Sequence, residues 1–296
     1  MWRKILKIGV WVIGIAIYIP TFYILSVIVL IFMNIIFNSH RPLPDANSFQ
    51  LYKRTPVWEF AKAVRDEDCE KIAYWVQDKN IPIDTPEERF GQTLLILAAI
   101  NNKHISVRKL LELGADPNIH DTKREDTPLI YAMRYSDIEI VELMLGYGAD
   151  PNLPSKTYDN KADFTPLWAA SFQEDKLKLI LSAGVNINQP THFDNGSLVS
   201  NALRSENYDI ALMLIDNGHI CNQRNKAGQY YVVEVLKCNI HKPGSEMYYK
   251  KQKVVRRLEK MGIHYHWSIT VPWNIDHLKR ERPDDWKEWL YYDRMM

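Results

Sequence analysis

The chain has 296 residues, of which 46% are hydrophobic, so it is long enough to bury a sizeable core in one or two domains. Its formal net charge of +1 excludes a strong overall attraction to nucleic acid or to an acidic substrate. The three cysteines, Cys69, Cys221 and Cys238, lie far apart and form no CxxC pair. Their odd number argues against a disulfide framework and leaves the redox compartment open.

The first predicted element is an apolar helix. From Ile8 to Phe37 the chain carries no charged residue. Thirty residues of helix span about 45 Å, against a hydrocarbon core of about 30 Å, which predicts one transmembrane anchor within residues 1–37. A cleaved signal peptide is the alternative, but its apolar region should cover about 7–15 residues and end in small side chains. Here the stretch is longer and ends IIFNSH.

The flanking charges predict the orientation of this anchor. Arg3, Lys4 and Lys7 precede the apolar stretch, whereas only Arg41 follows it closely. By the positive-inside rule the amino terminus stays in the cytoplasm and the rest of the chain is extracytoplasmic. In a bacterium this describes a single-pass inner-membrane protein with a periplasmic domain. Residues 38–55 are predicted to be a linker, because the prolines of HRPLPDANS favour an extended chain.

A phrase then repeats with a period close to 34 residues. Threonine or serine opens an apolar run in each copy, and it suits the N-cap of a first helix. Proline follows two of the threonines and suits the first helical position. An alanine five residues after each cap would let neighbouring helices approach closely. The caps are Thr93, Thr127, Thr165 and Ser197, and the alanines are Ala98, Ala132, Ala170 and Ala202.

A second helix follows in each copy and ends at a glycine. Apolar residues at helical spacing precede that glycine, which is expected to adopt the left-handed conformation that terminates a helix. One helix pair cannot bury its apolar face alone, whereas stacked pairs can. A globular bundle with chance similarity is the alternative, but it does not explain a shared period. The glycines are Gly114, Gly148, Gly184, Gly218 and Gly262.

These stretches resemble ankyrin repeats. The phrase D-x-x-G-x-T-P-L-H-x-A-A of that family is met in part by GQTLLILAA (91–99), EDTPLIYA (125–132) and DFTPLWAA (163–170). Its G-A-D-x-N phrase is met fully at 114–118 and 148–152. The resemblance implies an all-α solenoid of helix-turn-helix units with extended finger loops, preceded here by one N-terminal transmembrane helix. We predict six units over residues 56–263, with atypical caps at both ends.

The sequence departs from the family at the histidine that follows T-P-L. The hydrogen bond that this histidine makes to the threonine is therefore expected to be absent. The replacements are Ile96, Ile130, Trp168 and Ser200.

No catalytic, cofactor-binding or metal site is predicted. The sequence contains no phosphate loop, zinc spacing, HExxH or G-x-S-x-G motif. His264, His266 and His277 are better explained as ordinary surface or packing histidines than as ligands of a metal ion. The basic helix at 250–260 is a candidate for phosphate or lipid binding, although a solvated face over an apolar stripe also explains its spacing. The protein is therefore not expected to be an enzyme.

The aromatic-rich tail at 264–296 lies beyond the repeats. Within it, DDWKEWLYY is predicted to form a short helix with Trp286, Trp289 and Leu290 on one side. Packing over the last repeat as a cap is the favoured interpretation. The alternative is that the tail forms part of an interface with a partner, because aromatic residues concentrate at interfaces.

The resemblance implies a partner surface made of the fingers and the first helix of each unit. Phe164 and Trp168 stand one helical turn apart and are predicted to anchor a partner, with packing between neighbouring fingers as the alternative. The full set of predicted partner-binding residues is His120, Arg124, Tyr158, Phe164, Trp168, His192, Phe193 and Arg224.

These observations predict a non-enzymatic, membrane-anchored module that binds another protein and no nucleic acid. Proteins of this layout resemble small bacterial ankyrin-repeat immunity or protective proteins, which implies that the partner is an envelope-acting toxin or enzyme. A cytoplasm-facing scaffold or regulator of an enzyme is the alternative and requires the opposite orientation. The sequence leaves the oligomeric state and the identity of the partner open.

Overall fold

The computed structural model describes residues 47–155, 164–189, 197–225, 228–239, 241–242 and 244–265, together with 279–280, 284 and 287. The predicted span at 8–37 and most of the 264–296 tail lie outside this part of the chain. Within the described part, no helix is both long and apolar enough to cross a membrane. Phe49–Met296 forms one of the two compact units of the chain, and the fold below is that of this unit.

Twelve helices follow one another in the described residues and form six consecutive pairs. A 3-10 turn at Phe49–Tyr52 precedes them, and a π-helical turn at Tyr74–Asp78 continues the second. The pairs are α1 (Trp58–Arg65) with α2 (Cys69–Ala73), α3 (Leu94–Ile100) with α4 (His104–Glu112), α5 (Pro128–Tyr135) with α6 (Ile138–Gly146), α7 (Pro166–Ala170) with α8 (Glu174–Ser182), α9 (Leu198–Arg204) with α10 (Tyr208–Asp216), and α11 (Tyr231–Cys238) with α12 (Glu246–Lys260).

The predicted all-α architecture is confirmed for the described residues. They contain no strand, and their only β-type pairing is an isolated antiparallel bridge between Arg224 and Tyr230. First helices pack on neighbouring first helices in the first four units and again in the last two. Second helices pack on neighbouring second helices along all six units, and we call their row the outer row. Ala98, Ala132 and Ala170 are completely buried, as their predicted role in close helix approach requires.

The predicted helix starts are also observed. Each predicted cap hydroxyl accepts a hydrogen bond from the backbone N–H three residues later, at 3.0–3.4 Å. Such a bond satisfies one of the N–H groups that a helix start leaves without a partner. Pro128 and Pro166 occupy the first helical position behind their threonines. The local sequence therefore fixes where each first helix begins.

The second helices end as predicted. Gly148 has a φ of 90°, and the backbone N–H of Ala149 donates to the carbonyl of Met144 at 2.9 Å. This reversal closes the last helical turn and directs the chain into the next finger. In the first unit Asn80 takes the same role with a φ of 50°. Asparagine tolerates this conformation better than most non-glycine residues do.

Side chains at the base of the fingers connect consecutive units. The amide of Asn118 donates to the carbonyl of Gly148 at 2.9 Å and accepts from the N–H of Asp150 at 2.8 Å. Asn188 repeats this pattern with Gly218 at 3.1 Å and Ile220 at 2.8 Å. The asparagine of the repeated phrase thus links its own unit to the next one. We call this row of side chains, Asp84, Asn118, Asn152 and Asn188, the asparagine ladder.

A second set of hydrogen bonds caps the carboxyl ends of the first helices. Ser106 donates to the carbonyl of Val64 at 2.6 Å, and Ser136 donates to that of Ala99 at 2.8 Å. The Lys176 ammonium extends this set at the end of α5, where it donates to the carbonyls of Ala132 at 3.2 Å and Met133 at 2.9 Å. A cation suits this end of a helix because the backbone dipole is negative there.

Burial lowers the pKa of Lys176 to about 8, against a smaller upward influence of Asp137. The unfolded chain therefore binds more protons than the folded chain between this value and the ordinary lysine pKa of 10.5. It follows that this lysine makes the free energy of unfolding rise with pH in that window.

Substitution of two nearby glycines should change stability in opposite directions. An added Cβ would meet nothing within 4 Å at Gly146 or at Gly148, so only backbone preference differs. We expect Gly148→Ala to lower the free energy of unfolding by about 1–2 kcal/mol, because alanine disfavours positive φ. Gly146→Ala should raise it by about 0.5 kcal/mol, because Gly146 is helical. Urea unfolding of the full chain in mild detergent measures both values, and a shared sign would contradict this assignment.

The buried lysine predicts a pH-dependent difference between two proteins. The stability of the wild type relative to Lys176→Met should increase as the pH rises from about 8 to about 10. In this range the folded wild type has lost the Lys176 proton while its unfolded chain still binds one, and the methionine variant has no such proton. The comparison cancels the titration of all other groups. Lys178→Met is the matched control, because Lys178 is exposed and pairs with Glu174. Urea unfolding over this pH range makes the measurement, and a constant difference for Lys176→Met would argue against the buried charge.

Candidate partner-binding surface

Buried carboxylates hold the fingers in a fixed shape. Asp121 accepts backbone hydrogen bonds from Lys123 at 2.8 Å, Arg124 at 2.7 Å and Asp126 at 3.2 Å. The Tyr131 hydroxyl donates to the same carboxylate at 3.0 Å. In the preceding finger Glu87, which is 2% exposed, accepts in the same way from three backbone N–H groups. A loop fixed in this way loses little conformational entropy when it binds a partner.

A serine closes the base of the next finger. The backbone N–H of Ser155 donates to the carbonyl of Phe164 at 2.8 Å. The N–H of Phe164 donates in return to the Ser155 hydroxyl at 3.0 Å. These two residues therefore hold the ends of this finger together, next to the start of α7.

Five aromatic side chains line the adjoining first helices. Phe164 and Trp168 pack edge to face with ring centroids 4.6 Å apart, and Trp168 packs in the same way on Phe172 at 5.0 Å. In the preceding unit Tyr131 and Tyr135 lie 6.2 Å apart. Aromatic pairs prefer such tilted and edge-on arrangements. We call these five residues the aromatic ladder.

Arg134 connects the two halves of the aromatic ladder. Its guanidinium lies 4.7 Å from the ring centroid of Phe164 and 5.3 Å from that of Tyr135. The Arg134 side chain is only 5% exposed, and its Nη1 lies 3.4 Å from a carboxylate oxygen of Asp126. Burial lowers the pKa of Arg134 to about 10, so the side chain stays charged at neutral pH. The carboxylate and the two ring faces together compensate this buried charge.

Three side chains at the edge of this cluster remain accessible. Tyr135, Phe172 and Arg124 are each half-buried. Arg124 forms a hydrogen bond with Tyr135, whose pKa is raised by burial. We call Arg124, Tyr135 and Phe172 the accessible edge, because a partner can touch them while Tyr131 and Trp168, two buried members of the aromatic ladder, pack against Tyr135 and Phe172.

The structure corrects the predicted position of the aromatic anchor. Phe164 is 2% exposed and Trp168 is 4% exposed, so neither side chain presents a surface to a partner. The reason is that Arg134, from the preceding unit, covers the face of Phe164, while Phe164 and Phe172 enclose Trp168. Phe164 packs against Arg134 of the preceding unit, and Trp168 packs against Phe164 and Phe172 of its own unit. Both residues support the accessible edge instead of forming it.

The other predicted residues fall in separate places. His120 is half-buried and its Nε2 lies 3.0 Å from the carbonyl of Pro154, so it bridges two fingers. Arg224 is exposed, and its guanidinium stacks 3.9 Å from the Tyr230 ring centroid beside a cleft of about 240 Å³. Arg124 is linked to Phe164 only indirectly, through Tyr135 and Arg134, whereas Arg224 lies apart from this cluster. Tyr158, His192 and Phe193 lie outside the described residues, and their role stays a prediction.

Sequence reasoning missed Tyr135, Arg134 and Phe172. For Tyr135 and Phe172 the signal was present in the spacing, because each stands four residues after another aromatic residue, Tyr131 and Trp168 respectively. Residues four apart share one face of a helix. The contact of Arg134 with Phe164 had no such signal, because the two lie in different units.

Among the described residues, one group of side chains has candidate ligand atoms close enough together to hold a metal ion. The candidate ligand atoms of His104, Asp137 and Glu139 lie within 4.8 Å of one another, and His104 Nε2 is 3.0 Å from Asp137. Both carboxylates are exposed, and Asp137 is also close enough to the Lys176 ammonium to influence its pKa. A surface ion pair accounts for this geometry, and no metal site is assigned.

Comparisons with known proteins support the predicted resemblance. Residues 60–155 match a family model for ankyrin repeats in three copies. The ankyrin repeat protein FPV222 of fowlpox virus (strain NVSL) is 35% identical over 126 residues, which are 42% of this chain and 16% of that protein. Mouse ankyrin repeat and SOCS box protein 11 is 36% identical over 104 residues, which are 35% of this chain and 30% of that protein. The chain thus aligns with less than a third of either relative.

Solved structures establish the fold. The ankyrin repeat domain of Bcl-3 has a TM-score of 0.54 at 19% identity, covering 67% of this chain and 85% of that one. The ankyrin repeat protein EF0377 has a TM-score of 0.52 at 22% identity, covering 69% of this chain and 98% of that one. The paired helices therefore form an ankyrin-repeat solenoid.

The charge balance at Arg134 predicts a large effect of its removal. Arg134→Met should lower the free energy of unfolding by about 3 kcal/mol, because it removes a buried cation that lies 3.4 Å from the 2% exposed Asp126 carboxylate. Arg257→Met is the matched control, because its ion pair with Asp216 is 46% exposed on both sides and should contribute less than about 1 kcal/mol. Urea unfolding of both variants makes the comparison. Equal losses would show that Arg134 is not a compensated buried charge.

Proposed function

We propose that the chain binds another protein through its fingers and first helices, and that it has no catalytic activity of its own. The observation that carries this proposal is the accessible edge, in which Tyr135 and Phe172 pack on the buried Tyr131 and Trp168, and Arg124 forms a hydrogen bond with Tyr135. Aromatic residues and arginine dominate the binding energy of protein interfaces. A support that is already packed reduces the entropy lost on binding.

The sequence supports a membrane setting for this function. The charge-free stretch from Ile8 to Phe37 favours a single span, and the preceding cations favour a cytoplasmic amino terminus. The solenoid would then act outside the cytoplasm, at the inner membrane of a bacterium. In that setting we propose that the chain is an immunity protein that neutralises an envelope-acting toxin or enzyme. An anchored inhibitor would meet such a partner where the damage occurs.

A cytoplasm-facing scaffold or regulator is the second candidate. It is favoured because the excess of positive charge before the stretch is small: Arg41 follows the stretch closely, and Lys53 and Arg54 follow farther on. A phosphatase reporter fused after Met296, active only outside the cytoplasm, separates the two. Activity of the fusion supports the extracytoplasmic solenoid, and its absence together with a normal protein level supports the scaffold.

The accessible edge predicts which substitutions abolish partner capture. From detergent-solubilised membranes, the wild-type chain should capture one protein, and Tyr135→Ala with Phe172→Ala should weaken its binding more than about tenfold, as the loss of two interface aromatics implies. Ile105→Ala with Tyr147→Ala is the matched control, because these exposed apolar residues, 53% and 42%, lie on the outer helix row. Circular dichroism checks that both variants remain folded.

Either of two results would contradict the assignment. If the Tyr135 and Phe172 variant binds as tightly as the wild type, the accessible edge is not the interface. If the captured protein is a toxin or enzyme and keeps its activity when saturated with the solenoid, the immunity function is wrong, although the binding function stands.

A further inference from the structure

The last helix of the solenoid carries much more positive charge than the rest of the chain. Helix α12 contains six lysines and arginines and two glutamates, which gives a formal charge of +4. The whole chain has a charge of +1, so the residues outside α12 sum to −3. Such a local concentration of charge creates an attractive potential for anions that the net charge hides. The cations are Lys250, Lys251, Lys253, Arg256, Arg257 and Lys260.

Three of these cations have structural roles. Lys250 pairs with Asp209 at 2.6 Å, and Arg257 pairs with Asp216 at 2.9 Å, which ties α12 to α10. Lys250 also pairs with Glu246 at 3.0 Å and so neutralises one of the two glutamates. Lys251 is completely buried, with its ammonium 5.5 Å from the Tyr265 ring centroid.

The other three cations point to solvent on one side of the helix. Lys253, Arg256 and Lys260 are exposed, and among the described residues none of them forms an ion pair. Their spacing of three and four residues places them in one row, about 10 Å long at 1.5 Å per residue. Tyr249 continues this row one turn earlier and is 57% exposed. We call Tyr249, Lys253, Arg256 and Lys260 the basic face.

The basic face is built for contact with a surface and not for insertion into one. The apolar residues of the helix, Val254, Val255 and Leu258, are buried against the solenoid. On the basic face itself, the groups available to an outside partner are the three cations and the Tyr249 ring. The remaining glutamate, Glu259, is displaced from the row by about 60° or more on a helix of 3.6 residues per turn. The row therefore contains three positive charges without a negative one between them.

We propose that the basic face binds the anionic phospholipid headgroups of the membrane in which the chain is anchored. This inference rests on the anchor of the proposed function, because the 11 residues from 38 to 48, which separate the apolar stretch from the solenoid unit, can span at most about 40 Å. Basic residues near an anionic leaflet are attracted to it, and tyrosine is favoured at the membrane interface. Helix α12 belongs to the outer row, so this contact leaves the fingers and first helices free for the protein partner.

The experiment measures the accessibility of individual lysines on vesicles. The full chain is mixed with vesicles of phosphatidylcholine, or of phosphatidylcholine with phosphatidylglycerol, and labelled with an amine-reactive reagent. Mass spectrometry then gives the labelling rates of Lys253 and Lys260, with the exposed finger residue Lys123 as an internal reference. We expect the first two rates to fall at least about fivefold on the anionic vesicles only, and high salt to restore them. Equal rates on both vesicles would overturn the proposal.

A matched pair of substitutions tests whether the row itself is responsible. Arg256→Glu should abolish most of the protection of Lys253 and Lys260, because it places a negative charge at the centre of the row. Arg108→Glu makes the same change in charge at an exposed position on α4 and should leave the protection intact. Full protection in Arg256→Glu would overturn the proposal.

Flotation separates this inference from the anchor. Flotation of the chain with pure phosphatidylcholine vesicles reports the apolar stretch alone, because these vesicles have no net charge. A chain that fails to float with them lacks the proposed anchor, and the labelling on anionic vesicles still decides whether the basic face binds phospholipid.

Discussion

A pair of short helices cannot cover its own apolar stripe, and every other feature of this solenoid depends on that constraint. Each pair needs a neighbour at close range, which explains why Ala98, Ala132 and Ala170 are small and completely buried. The neighbour must also arrive in a fixed register. The left-handed residue at the end of each second helix turns the chain back, and the asparagine ladder then ties each finger to the following unit. Repetition of the sequence is the consequence of repeating one interface.

The same regularity produces a surface that is suited to binding. The carboxylates of Glu87 and Asp121 satisfy the backbone N–H groups of their fingers, so these loops keep their shape without a partner. The aromatic ladder fills the space below them, and Arg134 joins its two halves across the boundary between units. Arg124 and Tyr135 are thereby held at the surface by groups that are themselves buried. Rigidity in the core of the solenoid thus becomes preorganisation at its surface.

Sequence reasoning succeeded where the deciding interaction is local. The caps at Thr127 and Thr165 and the helix end at Gly148 each depend on residues within one turn, and all three are observed as predicted. The burial of Phe164 could only be left as an alternative, because it depends on Arg134, 30 residues earlier in the chain. Periodicity shows that a residue faces a neighbouring unit. It does not show which side chain of that unit will cover it.

The paired hydrogen bonds between Ser155 and Phe164 have a consequence for how this protein can diversify. They fasten the two ends of a finger to each other at the start of α7, with backbone groups and one hydroxyl of these two residues. We therefore expect the start of α7 to tolerate changes of sequence, including insertions and deletions, between residues 155 and 164. This position resembles a hypervariable loop on an antibody framework, where a constant scaffold lets one segment follow the changes of a rapidly evolving target.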